Sequence, residues 1–229
     1  KFHKTDKQLY QVLENQTMAE GTLTQEWTPD MLARTLAAEL PEVKYAVSVT
    51  PAGMFGKFTV SSGENNLVKA AGQFAEPNLF RIFSYNLIQG NPAQVLAENN
   101  SVVISQKLAL SLFKTTENVV GKAFEWQVLN VRKQAVVSGI FENTPANSTS
   151  QFEFVLSYDA WINLSESVGR KINWGNHAPQ TFLVLNEGAD VKKLNNQISG
   201  FIKAKNTGSN VSLFAVPYSS QYLHGNYTN

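Results

Sequence analysis

Apolar positions along the chain recur with two periods, one of three to four residues and one of two, and their alternation marks out the elements. Leu9-Tyr10-Gln11-Val12-Leu13 is apolar enough for a strand, and a polar stretch runs from there to Gln25. Leu32, Leu36 and Leu40 stand at i, i+4 and i+8, a spacing that lines one face of a helix. Thr28 is a suitable N-cap, Pro29 suits the first helical position, Asp30 complements the positive end of the helix dipole, and Pro41 stops the helix. Val43 to Thr50 and Lys57 to Val60 are β-branched and aromatic, with Pro51-Ala52-Gly53 between them. To residue 75 the predicted order is strand, helix, strand, strand.

The middle of the chain has its own grammar. Pro77 to Phe83 reads as a short helix, Gly90-Asn91-Pro92 as a break, and Ser101 to Ile104 as a strand. Ser105 is placed to cap a helix carrying Leu108, Ala109, Leu112 and Phe113. After a turn at Gly121, strands are predicted at Ala123 to Val128 and Lys133 to Phe141, then a loop at Asn143 to Ser148. The last third returns to the opening pattern: strand Phe152 to Leu156, helix Asp159 to Val168, strand Gln180 to Leu185, and a helix capped by Asp190. That helix carries Val191, Leu194, Ile198, Phe201 and Ile202, ends at Asn206-Thr207-Gly208, and precedes a strand at Val211 to Val216. Similar strand-helix-strand units at both ends, with an α+β block between them, predict an α+β fold with one discontinuous domain. Its halves are 1–75 and 148–229, and 76–147 is inserted.

Composition narrows the classes. The 229 residues are 43% hydrophobic and only 16% charged, against about 25% charged in an average soluble protein. A formal charge of +1 supplies no field for nucleic acid. With no cysteine, a disulfide scaffold, a thiolate metal site and a cysteine nucleophile all fall away. No apolar run approaches the roughly 18 residues of a membrane span. The chain opens without Met at Lys1-Phe2-His3-Lys4 and stops at Asn226 to Asn229 without a closing element, so it reads as a segment excised from a longer protein. The Asn-x-Ser/Thr triplets at Asn15, Asn99, Asn147, Asn163, Asn210 and Asn226 read as chance in a chain this rich in those residues.

Motifs of catalysis are missing. Gly56-Lys57 and Gly121-Lys122 are followed by Phe58 and Ala123 and lie outside a Walker frame, and there is no Gly-x-Ser-x-Gly. His3, His177 and His224 are far apart in sequence, and His177, in a polar loop after Trp174-Gly175, reads as a solvated loop histidine. The aromatic series Phe74, Phe80, Phe83 and Tyr85, with Trp126, is expected in a core or between subdomains before a ligand groove. No catalytic, cofactor-binding or metal-binding residue is singled out, and no cofactor is expected.

Several phrases in order carry a resemblance. Phe2-His3-Lys4 with Leu9-Tyr10-Gln11-Val12 is similar to the stretch after the first transmembrane helix of FtsX-like ABC-transporter permeases, with departures at Thr5, Lys7, Gln8 and Gln11. Thr28-Pro29, Leu32 and Leu40-Pro41-Glu42-Val43 resemble the family's helix ending in Pro-Glu-Val. The most specific phrases are Glu76-Pro77-Asn78-Leu79-Phe80-Arg81-Ile82-Phe83-Ser84-Tyr85, Gly90-Asn91-Pro92, Ser101-Val102-Val103-Ile104-Ser105 and Val120-Gly121-Lys122. Val136 to Phe141 with Pro145-Ala146-Asn147-Ser148, then Thr181 to Leu185, Gly188-Ala189-Asp190 and Leu223-His224, resemble the closing elements.

The resemblance implies a MacB-like periplasmic core domain, lying between the first and second transmembrane helices of such a permease on the periplasmic side of a bacterial inner membrane. It implies a discontinuous Porter subdomain and an inserted Sabre subdomain. It also implies a non-catalytic role, in which a cytoplasmic ABC ATPase drives periplasmic movement through the membrane helices, called mechanotransmission. Expected partners are the parent permease helices, that ATPase, a second permease copy, and a periplasmic adaptor or effector protein, with no nucleic acid. Cargo across the family ranges from macrolides in efflux to peptides and lipoproteins. The alternatives are a ligand-sensing extracytoplasmic domain of a signalling receptor, and a periplasmic hydrolase built from scattered acids and His177.

Overall fold

A computed structural model describes residues 8–63, 66–145, 148 and 150–223. The opening Phe2-His3-Lys4 phrase, Ala146 and Asn147 of the Pro-x-Asn-Ser loop, and His224 lie outside the described residues. In chain order the elements begin β1 (Leu9–Met18), β2 (Gly21–Gln25), α1 (Leu32–Glu39), β3 (Val43–Thr50), β4 (Lys57–Ser61), β5 (Leu67–Ala75), α2 (Leu79–Ile82) and β6 (Leu87–Gln89). There follow β7 (Ser101–Ser105), α3 (Gln106–Phe113), β8 (Ala123–Val128), β9 (Val131–Phe141), β10 (Phe154–Ser157) and α4 (Tyr158–Ser167). The last are β11 (Gln180–Leu185), α5 (Val191–Ser199), α6 (Phe201–Lys205), β12 (Val211–Pro217) and α7 (Tyr218–Leu223). The fold is mixed α+β, and the chain divides into two units: residues 1–48 with 171–229, and residues 49–170.

In the first unit β1 is the central strand. It pairs antiparallel with β11 from Leu9↔Val184 to Val12↔Thr181, and along its other edge with β12 from Tyr10↔Pro217 to Gln16↔Val211. Helices α1, α5 and α6 cover one face, where Leu32, Leu36, Leu194, Ile198 and Ile202 meet Val12, Leu183, Leu185 and Leu213. Each of these side chains is almost wholly withdrawn from water, contributing about 2 kcal/mol apiece to the folded state. The Asp190 carboxylate caps α5 as predicted, accepting from the Lys192 and Lys193 backbone N–H groups at 2.9 and 3.1 Å. Thr28 does not cap α1. The residue at that position is Met31, without a side-chain bond, and the Thr28 hydroxyl turns instead to the Pro179 carbonyl and the Thr181 hydroxyl, 3.0 and 2.7 Å away.

In the second unit six strands form a closed circuit of pairings, β5–β10–β7–β9–β8–β4 and back to β5. Closure is made by β10, which lies parallel to β5 from Phe154↔Gly72 to Ser157↔Ala75 and antiparallel to β7. Aromatic rings from β4, β5, β8, β10 and α4 fill its core: Phe74 lies 6.0 Å from Phe58, 5.8 Å from Trp126 and 5.9 Å from Trp161 between ring centroids, and Phe58 lies 5.2 Å from Phe154. Phe80 and Phe83 are buried too, and Tyr85 stacks edge-on to Phe152 at 5.0 Å. The aromatic series is therefore core packing within this unit. On α3, Ser105 Oγ accepts from the Leu108 N–H at 3.1 Å, the cap expected there.

The unit boundaries fall elsewhere than 75 and 148. Strands β4 and β5, and β10 with α4, belong to the second unit, because β5 is held on one edge by β4 and on the other by β10. The sequence pattern does not show β5, whose Val-Lys-Ala-Ala-Gly-Gln-Phe-Ala centre has weak intrinsic strand preference; its neighbours impose the conformation. The polar stretch before Gln25 is likewise the rest of β1 turning into β2, a hairpin from Glu14↔Gln25 to Met18↔Gly21.

Gly72 is where closure is tightest. A Cβ on this residue would lie 2.0 Å from Phe154 Cζ, deep inside the ring. Gly72→Ala is expected to cost about 3 kcal/mol by overpacking, read as a lower urea midpoint. Combining it with Phe154→Leu should recover part of the loss, and an unchanged midpoint for Gly72→Ala alone would refute the close packing.

Candidate functional site

Along one edge of β1 the partner changes: β11 pairs with Leu9 to Val12, and β2 with Glu14 to Met18. Glu14 stands at the changeover, on the same strand face as Val12 and beneath the helices, with its side chain wholly buried. A carboxylate out of water is costly unless it is paired and hydrogen-bonded. The Gln25 amide donates to Glu14 Oε2 at 3.0 Å, and His177 Nδ1 lies 2.7 Å from the same oxygen. Oε1 has no hydrogen-bond partner among the described residues.

His177 reaches this place because its loop is fastened at both ends. Asn173 Oδ1 accepts from the Gly175 and Asn176 N–H groups at 2.8 and 2.9 Å, and the Asn176 amide donates to the Lys171 carbonyl at 2.6 Å. Beyond the histidine, the Thr28 N–H donates to the Pro179 carbonyl at 2.8 Å, the Ala178 N–H to the Thr28 carbonyl at 3.2 Å, and Pro29 and His177 form an antiparallel bridge. The Thr28 hydroxyl adds its bonds to Pro179 and Thr181. Thr28 thus works as a loop anchor, a role its N-cap-like sequence context conceals.

The second imidazole nitrogen, Nε2, lies 3.3 Å from the Trp174 carbonyl, so both ring nitrogens face acceptors. That geometry suits the doubly protonated ring, which donates from both. Burial pulls the His177 pKa down, but the Glu14 hydrogen bond and charge, the Trp174 carbonyl and the charge of buried Asp30 together hold it above the ordinary value of 6.5. Its side chain is only 15% exposed, so the reading of His177 as a solvated loop residue is corrected. The physical reason is a contact across 163 residues of sequence, which no local pattern reports.

Beside this pair the surface opens into a depression of about 350 Å³. Gln16 and Gln25 of the β1–β2 hairpin line it from one side, and Trp174 and Gly175 of the histidine loop from another. Asn206, Ser209 and Asn210, between α6 and β12, complete it with Val211 and His177 itself. The Trp174 ring rests edge-on against Phe201, 6.0 Å between centroids, with part of its surface in the helix-covered core. Among the described residues no group of three or more His, Asp or Glu side chains is arranged to hold a metal ion. His3 and His224 lie outside the described residues.

The family model of the MacB-like periplasmic core domain matches residues 2–201. The chain belongs to that family. This MacB-like domain is also similar to solved structures at identities that speak to fold alone. A permease-protein domain from Porphyromonas gingivalis is 21% identical with a TM-score of 0.72, over 95% of this chain and 93% of that one. The periplasmic region of MacB from Actinobacillus actinomycetemcomitans is 15% identical with a TM-score of 0.60, over 97% of this chain and 94% of that one. No curated protein sequence gives a significant match. Membership makes the chain a periplasmic-side domain of an ABC-transporter permease. Among its described residues no helix is long and apolar enough to cross a membrane.

Within the MacB-like domain the Glu14–His177 pair fastens the loop that forms one wall of the depression. His177→Ala is expected to destabilise the domain by about 3 kcal/mol, because the carboxylate stays buried with only the Gln25 amide beside it. Glu14→Gln in the same chain should return part of that loss, and strictly additive urea midpoints would refute the coupling. Because the folded pKa of His177 is raised, its contribution is complete below the unfolded value near 6.5 and is lost as pH rises through the folded one. As pH rises above about 6.5 the wild-type melting temperature should therefore fall relative to His177→Asn; parallel profiles would show that the ring does not carry the charge.

Proposed function

We propose that this domain is a non-catalytic transmitter, passing movement driven by a cytoplasmic ABC ATPase through the permease helices to partners on the periplasmic side. The observation that carries the proposal is the antiparallel pairing of β1 with β12, in which Tyr10 faces Pro217. The start of β1 and the end of β12 are thereby side by side at one end of one sheet. The chain enters β1, and leaves β12 into α7, at that same end, an arrangement that suits a domain looped between two membrane helices. A displacement of either connection loads the same hydrogen-bonded strands, and a packed sheet passes it on with little deformation.

Within this reading the split unit, residues 1–48 and 171–229, takes the Porter role and residues 49–170 the Sabre role. The partners are the parent helices, the ATPase, a second permease copy, and a periplasmic adaptor or effector. A non-catalytic role is supported by His177, whose two nitrogens are committed to Glu14 and Trp174 and leave no lone pair for a general base.

The chain has no cysteine, so single cysteines introduced into it label one place each. Spin labels at exposed Asn196 of the split unit, and separately at exposed Glu117 of the inserted one, would report distances between two copies in the full permease with its ATPase in lipid discs. The distance distribution at one or both sites should shift between the nucleotide-free state and an ATP-bound, hydrolysis-arrested state. Superimposable distributions at both sites would sink the transmission reading.

A further inference from the structure

The depression beside Glu14 and His177 has the chemistry of a site for a small neutral ligand. Its volume of about 350 Å³ lies at the lower end of the range for ligand pockets, about 300 to 1,000 Å³. No Lys, Arg, Asp or Glu lines it, and His177, its one titratable lining side chain, already faces the buried Glu14 carboxylate. An anion therefore finds no unpaired cation, and a cation finds no exposed carboxylate. An apolar ligand would strand the amide groups of Gln16, Gln25, Asn206 and Asn210 without water, at a cost of about 1 to 3 kcal/mol for each group left unsatisfied.

What remains is a neutral molecule dense in hydrogen-bonding groups, with one apolar face. Two side chains are already held for it. Gln25 donates its amide N–H to Glu14 at 3.0 Å, and Asn210 donates its own to the Thr17 carbonyl at 2.6 Å. Each amide plane is fixed, and each leaves a carbonyl oxygen as a positioned acceptor for a hydroxyl. Gln16 and Asn206 are different, since neither side-chain amide has a hydrogen-bond partner among the described residues. They can turn to donate or accept. Trp174, steadied against Phe201, supplies an apolar aromatic surface.

We propose that this depression binds a saccharide of mono- to disaccharide size. Ring hydroxyls both donate and accept, matching fixed carbonyls beside adaptable amides, and the C–H face of a sugar ring suits the indole. The inference stands apart from the transmission reading, because it concerns only the split unit and its own side chains.

The test is titration of the 15N-labelled 229-residue chain with glucose, N-acetylglucosamine, cellobiose and chitobiose, watched by 1H–15N NMR. At least one sugar should give saturable shifts at the Trp174 indole N–H and the Gln16, Gln25, Asn206 and Asn210 side-chain amides, with a Kd on the order of 1 mM or tighter. Asn206→Ala and Gln16→Ala, both partly exposed and outside the apolar core, should each weaken binding about five- to tenfold without moving the melting temperature. The proposal is overturned if none of the four sugars saturates, or if the variants bind as wild type. It is equally overturned if acetate, phosphate or glycinamide saturates these signals while the sugars do not.

Discussion

A carboxylate with no exposed surface sits on the central strand of the split unit, and much of that unit's local architecture follows from what it requires. Glu14 occupies the point on β1 where β11 ends as a neighbour and β2 begins. Gln25, opposite Glu14 in the β1–β2 pairing, and His177, from the loop before β11, satisfy the charge. Fixing His177 in turn requires the bridge to Pro29, the Thr28 bonds to Pro179 and Thr181, and the Asn173 turn. One buried charge thus accounts for a set of contacts joining residues 14 to 30 with residues 171 to 181.

Elements whose signal is local are legible in the order of residues alone. The helix periodicities, the strands Val43 to Thr50, Ala123 to Val128 and Gln180 to Leu185, and the caps at Ser105 and Asp190 are each decided within about one turn or one strand of sequence. What stays hidden is non-local. β5 is alanine- and glycine-rich and is extended because β4 and β10 flank it; Gly72 marks the contact with Phe154, but a lone glycine in a sequence does not name its neighbour. The unit boundary departs from the sequence pattern for the same reason, since the parallel pairing of β10 with β5 draws residues 57–75 into the inserted unit.

The candidate site is half legible. Alternation along Tyr10, Val12, Glu14 and Gln16 places an acid on the face that carries Val12 into the helix-covered core, and an acid on such a face calls for a partner. That signal names Glu14, though not His177, which belongs to a polar loop of the kind that is usually solvated. Thr28 shows the opposite failure. Its context satisfies every local rule for an N-cap, yet the hydroxyl is taken by the loop of residues 177 to 181, because the backbone pairing of Thr28 with Ala178 and Pro179 sets it beside the Pro179 carbonyl and the Thr181 hydroxyl.

A buried ion pair is a poor means of gaining stability, because the desolvation of both ions offsets most of their attraction, and an apolar pair of similar volume is often as good. The consequence of this pair is better sought in placement. Leucine and isoleucine at positions 14 and 177 could pack, but they could not hold the Trp174 carbonyl or orient the Gln25 amide. The same two charged groups therefore set the indole that walls the depression and the amide plane at its side. They do so without adding a net charge to its surface, since each neutralises the other below it. Beside the pairing of β1 with β12, the Glu14–His177 pair holds polar side chains at fixed positions along the depression, so that its wall is set by a buried contact and not by the surface loop alone.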